Sequence, residues 1–274
     1  MIKFLLQTVD DKIRHDFVFE LENAIEYQNW RGNEMQACYC SLEDIQNGNT
    51  GYDVEDLNEV IPVGTIEFVY AFIDNFIKKD GSKKIKPLNI PTPLTKYAGR
   101  KLKRFTLVND KFNRYGIYEK LEKEIPYSDE YVFIKSEDTI KNPVNGPHRL
   151  IDITDMDEFP QGNYVVSEDI EIISEYRCFV YKDQLVGIQY YSGECYAFPE
   201  STEIFEMIDN YKWDNGNGPA PQAYTLDVAV TTDDKTVIIE CHEFFSCGTY
   251  GFNDYSVLPY MFVRTWQDIK KRLQ

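Results

Sequence analysis

Asp227 and Glu240 stand thirteen residues apart in YTLDVAVTTDDKTVIIECHEFF (224–245), two runs of strand-forming residues around a polar turn. A turn centred on Asp233-Asp234 puts Asp227 directly opposite Glu240, with Thr225 and His242 beside them on the same face. Leu226, Val228, Val230, Val237, Ile239 and Cys241 alternate onto the other face. Like charges directly opposite each other destabilise a strand pair, so two carboxylates held this way suggest a cation between them. Asp227, Glu240 and His242 could bind one or two divalent ions. Hard oxygen donors suit Mg²⁺, which keeps waters and uses one or two carboxylates plus substrate phosphates. The hairpin taken alone is equally compatible with an exposed acidic strand face.

Upstream residues add cations and hydrogen-bond acceptors. Lys135 ends the apolar run YVFIK and opens a polar loop with Asn-Pro, Asn-Gly and Gly-Pro breakers (136–149), a natural place for a cation to meet a phosphate. Glu168 follows YVVS at a chain bend. Glu175 and Arg177 are two apart on one strand and share a face. A carboxylate can accept from an adenine amino group or a ribose hydroxyl, and a strand-borne arginine can clamp an anionic oxygen.

The elements that must position these residues fall into two halves. IKFLLQT (2–8), MQACYCSL (35–42) and VIPVG (60–64) read as strands, and 16–30 is ambiguous between strand and helix. Phe68, Phe72, Ile73, Phe76 and Ile77 follow helical spacing within 65–79. KPLNIPTPLTKY (86–97), with three prolines, reads as a linker. The second half reads as a helix (111–124), strands at 131–135, 163–169, 171–181 and 185–191, a helix-and-loop segment (200–222), the hairpin, and a closing amphipathic helix (257–273).

The 274 residues include 46 acidic and 29 basic, a net charge of −17, which argues against a nucleic-acid binder working through a general electrostatic footprint. A hydrophobic fraction of 43% indicates a folded chain, and no apolar stretch approaches the ~20 residues that span a membrane. Six cysteines without a C-x-x-C pair point to a reduced, cytoplasmic protein. His15 and His148 read as incidental. A zinc site at Cys241, His242 and Cys247 is disfavoured, because Cys241 points away from His242.

In order and spacing, residues 104–274 resemble the ATP-grasp superfamily of carboxylate-amine ligases. Asp110-Lys111 matches its Asp-Lys at a helix start, Lys135 its strand-end lysine, and 136–149 its mobile phosphate loop. Glu168 matches the acidic hinge residue for adenine, with backbone contacts implied at Asp169 and Ile170, and Glu175 matches the ribose-binding acid. Asp227 and Glu240 match its magnesium ligands, an Asp thirteen residues before a Glu-x-Asn. SEYRCFV is similar to a strand of RimK-like peptide-modifying ligases, with Arg177 in place of their arginine. His242 departs from the family's Asn, and Thr225 stands where several members carry an arginine for the transition state. Arg177 could take over that charge, and Arg264 is a more remote candidate.

The resemblance implies an α/β protein: an N-terminal pre-ATP-grasp domain (1–100), then an ATP-grasp fold of two α+β lobes (lobe A about 101–163, lobe B about 164–274). It implies a solitary ligase, like those of phages and bacteria, that uses ATP and Mg²⁺ to join a small-molecule or peptide carboxylate to an amine. ATP would be held by Lys111, Lys135, Glu168, Asp169, Ile170 and Glu175, the metal by Asp227, Glu240 and His242, with Arg177 catalytic. The alternatives are a binding module that has lost catalysis, as Thr225 and His242 would allow, and a phosphotransferase on the same nucleotide site.

Overall fold

β1 (Ile2–Thr8) is apolar on both faces, with Phe4, Leu5 and Leu6 fully buried, as a central parallel strand requires. The structure, a computed structural model, describes residues 1–52, 59–125, 131–212 and 220–274. β1 pairs in parallel with β2 (Met35–Ser41) and β3 (Val60–Val63), in the order β2-β1-β3. The ambiguous segment 16–30 is a helix, α1 (Asp16–Trp30), and burial of Phe17, Val18, Leu21, Ala24 and Ile25 shows why: its apolar positions follow a helical stripe. A short α2 (Leu42–Gln46) follows β2. α3 (Ile66–Phe72), capped by the Thr65 side chain, continues as a π-helical turn through Ile77.

Two four-stranded antiparallel sheets follow. The first, in the order β4-β7-β5-β6, contains β4 (Leu102–Leu107), β5 (Tyr131–Ser136), β6 (Gly146–Arg149) and β7 (Gly162–Ser167). It carries α4 (Lys111–Glu124), whose cap Asp110 accepts from the Asn113 N–H at 2.8 Å. Arg114 of α4 is fully buried and donates to the carbonyls of Val108, Ile153, Asp155 and Phe159, pinning the sheet's outer loops. The second sheet, in the order β11-β10-β8-β9, contains β8 (Ile172–Tyr181), β9 (Gln184–Gly193), β10 (Ala223–Thr231) and β11 (Thr236–Glu243). α5 (Ser201–Lys212) covers it with Ile204, Met207, Ile208 and Tyr211; residues 213–219 of the expected helix-and-loop segment lie outside the described residues. α6 (Leu258–Leu273) returns to the first layer, where Phe262, Trp266 and Ile269 join the core of β1 and α1. No helix among the described residues is long and apolar enough to cross a membrane.

Two expectations change. Residues 86–97 are not a free linker: Thr92–Tyr97 form a 3-10 helix, and Ile90, Leu94 and Ala98 enter the core beneath α5. Asn89 ties this strap to both sheets, its carbonyl accepting from the Cys241 N–H and its amide donating to the Ser136 carbonyl at 2.9 Å. The expected mobile loop 136–149 is partly strand, because Gly146–Arg149 pairs with β5 as β6. Asp138 anchors the loop's start by accepting from Lys86 and Asn163.

Candidate functional site

The roof of the site comes from strand register. Arg104 and Lys135 both pair with Val165, and Leu102 and Phe133 both pair with Ser167. Directly opposed residues share a face, so these six side chains line one surface of a cleft of about 370 Å³ between the two sheets. Arg104 is held by Glu137 Oε1 at 2.8 Å and by the Ile90 carbonyl at 2.6 Å. Arg100, also on the cleft, donates to the Ile238 carbonyl at 3.2 Å, and burial lowers its pKa.

The back of the cleft is the crossing from β7 to β8, where Glu168, Asp169 and Ile170 all line the wall. Glu168 accepts from the Lys101 N–H through Oε2 at 2.6 Å, and its own N–H donates to the Lys101 carbonyl, locking the crossing to the start of β4. Glu175 accepts from the Tyr191 hydroxyl at 2.9 Å, and both line the cleft. Burial, with Asp227 and Glu175 nearby, pushes the Tyr191 phenol far above its ordinary value, so it stays a donor.

The floor is one row across three strands: Arg177 on β8, Asp227 on β10 and Glu240 on β11. Arg177 donates twice to Asp227, Nε to Oδ1 at 2.9 Å and Nη2 to Oδ2 at 2.7 Å, and once to the Gly248 carbonyl. Glu240 pairs through Oε2 with Lys135 from the roof, and its Oε1 lies 2.8 Å from His242 Nε2. Burial works to raise the Glu240 carboxyl, but His242 and Lys135 outweigh it and hold the carboxyl well below the ordinary glutamate value. The like-charge conflict between Asp227 and Glu240 is therefore relieved by Arg177 and Lys135, two cations of the chain itself. The donor set nevertheless fits a hard divalent ion: one ligand atom from each of Asp227, Glu240 and His242 lies within 4.8 Å of the others, and carboxylate lone pairs outnumber the hydrogen bonds they accept.

The register at this row has an unexpected origin. The turn spans Thr231–Lys235 and is centred on Asp233, half a residue earlier than expected, which would have misaligned the carboxylates. A bulge between Asp227 and Val228 restores the pairing and leaves Ile239 unpaired. Ile239 accordingly lines the cleft instead of the hydrophobic face, and Ile238 fills the core position in its place.

A second cavity of about 440 Å³ shares Lys135 and Glu240 with the cleft and opens beyond them. Its wall includes Ile66 from α3, Ile140 and Lys141 from the loop after β5, and His242, Phe245 and Tyr250.

The structure thus gathers Lys135, Glu168, Asp169, Ile170, Glu175 and Glu240 on the cleft, with Asp227, Arg177 and His242 at its floor. Lys111 is set apart, exposed in the first turn of α4 and lining neither cavity, because the capping of α4 by Asp110 turns that residue outward. Arg264 is exposed on α6 and bonded to Gln267. Thr225, beside His242, is fully buried, and its hydroxyl has no partner. Sequence reasoning missed Arg100, Arg104, Tyr191 and Ile239. The alternation of Leu102, Arg104 and Thr106 was the available signal for the first strand of the roof.

A family described as an ATP-grasp domain, family 2 of its clade, matches residues 112–259, more than half of the chain. Among curated proteins none matches. The fold is similar to that of a D-cycloserine synthetase, at 10% identity and a TM-score of 0.56, covering 99% of this chain and 100% of the other. It is also similar to a RimK domain ATP-grasp protein from Sphaerobacter thermophilus (13%, TM-score 0.51, 98% and 99%). A third likeness is to the D-alanine-D-alanine ligase from Coxiella burnetii (10%, TM-score 0.50, 100% and 96%). At these identities the likeness is one of fold.

Proposed function

The chain belongs to this ATP-grasp domain family, and from that premise we propose that it is an ATP- and Mg²⁺-dependent carboxylate-amine ligase. The observation that carries the reading is the facing of two roof cations, Arg104 and Lys135, against the row Arg177, Asp227 and Glu240 across one cleft. In this reading the adenine lies against Glu168, Asp169 and Ile170, and the ribose against Glu175. Lys135 and Arg104 meet the phosphates with charge-assisted hydrogen bonds. Asp227, Glu240 and His242 would hold Mg²⁺, which offsets the phosphate charge. Arg177 acts through Asp227, fixing its carboxylate. Lys111 reaches the nucleotide only if lobe A moves.

The second cavity, next to Lys135 and Glu240, receives the co-substrates. There a carboxylate oxygen attacks the γ-phosphorus and ADP leaves; the acylphosphate is then attacked by an amine, and phosphate departs with the proton taken up by solvent. The protein supplies position and fixed charge, without a covalent intermediate of its own.

The buried Thr225 and the His242–Glu240 contact favour a second reading, a nucleotide-binding module without turnover. Mass analysis of products formed from ATP with panels of carboxylates and amines separates the readings. An amide with stoichiometric ADP and phosphate supports the ligase, a phosphorylated product identifies a phosphotransferase, and bound ATP without turnover identifies the module.

A further inference from the structure

The first layer reaches the floor of the site through a single loop. Asp16 opens α1, and its Oδ2 accepts from the Thr249 N–H at 2.7 Å, the Thr249 hydroxyl at 2.9 Å and the Tyr250 N–H at 3.1 Å. Thr249 is fully buried at this contact. The same loop grips Arg177 from its other side. The Gly248 carbonyl accepts from Arg177 Nη1 at 3.1 Å, and the Tyr250 ring lies 5.1 Å from the guanidinium carbon. Tyr250 also stacks on Tyr191, with centroids 5.0 Å apart. The seat is close: a Cβ at Gly248 would lie 3.3 Å from the Tyr250 ring and 3.5 Å from Asp16 Oδ2. The remaining guanidinium nitrogens hold Asp227.

We propose that Asp16 is a positioning residue for the cation site: it fixes the Gly248–Tyr250 loop, the loop fixes the Arg177 guanidinium, and the guanidinium aims the Asp227 carboxylate. The inference rests on the reading of Asp227, Glu240 and His242 as the holders of the divalent ion. A carboxylate that ligates a metal is oriented by its own hydrogen-bond partners, whose loss typically costs about 10- to 100-fold in metal affinity. Asp16 stands one link further out, on a different layer of the fold, and makes the ion's affinity depend on how the first layer docks.

The test uses Mn²⁺ as the probe, titrated into the full-length protein with a non-hydrolysable ATP analogue and followed by the electron paramagnetic resonance of free Mn²⁺. Asp16→Ala is expected to weaken Mn²⁺ binding about tenfold or more, with analogue affinity without metal, measured by calorimetry, staying within about twofold. Asp16→Asn can place an amide oxygen where Oδ2 sits and is expected to recover most of the loss, which a general loosening of the fold would not allow. Tyr250→Ala probes the same path at a half-exposed side chain whose removal leaves the core intact, and is expected to weaken Mn²⁺ in the same direction. Unchanged Mn²⁺ affinity in both alanine variants, or metal and analogue affinities falling in parallel, overturns the proposal. A wild-type protein that binds the analogue but no Mn²⁺ removes the cation site itself and the inference with it, a pattern distinct from variants that bind Mn²⁺ as wild type does.

Discussion

Arg177 holds Asp227 by two parallel hydrogen bonds of 2.9 and 2.7 Å, and the pair is buried, the side chains 9% and 2% exposed. Burial alone would lower the Arg177 pKa, but Asp227 draws it well above an ordinary guanidinium value, so the arginine is charged at any working pH. With Lys135 on Glu240, the floor is close to electrically neutral before any ion is considered. A divalent ion there is justified by donor geometry, not by unrelieved repulsion.

Removing one member of that pair strands the other. Arg177→Met leaves a buried carboxylate without its cation, and the expected loss of unfolding free energy is about 3–5 kcal/mol. The double variant Arg177→Met, Asp227→Leu should regain much of it, since two apolar side chains leave nothing to desolvate. Urea unfolding of the three proteins checks this; a loss below about 1 kcal/mol in Arg177→Met would mean that the pair behaves as an exposed one.

The roof cations should be separable from stability. Lys135→Ala and Arg104→Ala each remove a charge-assisted hydrogen bond to phosphate, about 1.5–3 kcal/mol, or roughly 10- to 100-fold in ATP affinity. Calorimetric titration is the measurement, with circular dichroism to verify the fold. Lys111→Ala, by contrast, is expected to change ATP affinity little, and a tenfold loss there would bring Lys111 back into the site.

Glu240 gives stability a pH dependence of known sign. Its folded pKa is depressed below the unfolded value of about 4.3. The stabilisation it contributes is therefore present above about pH 4.3 and is lost as acid titrates the folded carboxylate. The stability gap between wild type and Glu240→Gln should narrow as pH falls from about 5 toward about 3. Urea unfolding at the two pH values checks it, and a gap that widens on acidification contradicts the assignment.

The strap before β4 is more than a tether. Gly99 has φ +64°, and a Cβ there would sit 2.4 Å from Val237 Cγ1 on β11. Gly99→Ala therefore combines a left-handed backbone with a clash, and the expected cost is about 1–3 kcal/mol. Because Arg100 follows directly, ATP affinity should fall as well. Thermal unfolding and calorimetry on this variant test both effects; a variant as stable as wild type would mean that the strap can shift freely.

The strands, α4, α6 and the pairing of Asp227 with Glu240 were legible in the sequence because each rests on local periodicity. The pairing came out right partly by cancellation, since the earlier turn and the bulge at Ile239 offset one another. The strap was misread because three prolines hid the four-residue spacing of Ile90, Leu94 and Ala98. The Lys135–Glu240 and Arg177–Asp227 pairs depend on how separate strands meet, 105 and 50 residues apart, and no local pattern encodes that. Asp16 lies 233 residues from Thr249 and looked like an ordinary first-turn acid.

The central claim is that ATP and a divalent ion meet between Lys135 and Glu240. It is tested most directly by calorimetric titration of ATP into wild type and Glu240→Gln, with and without Mg²⁺. The account predicts that wild type binds ATP more tightly with Mg²⁺ than without it, and that Glu240→Gln still binds ATP but loses the Mg²⁺ enhancement. No ATP binding by wild type, or an enhancement that survives intact in Glu240→Gln, would contradict it.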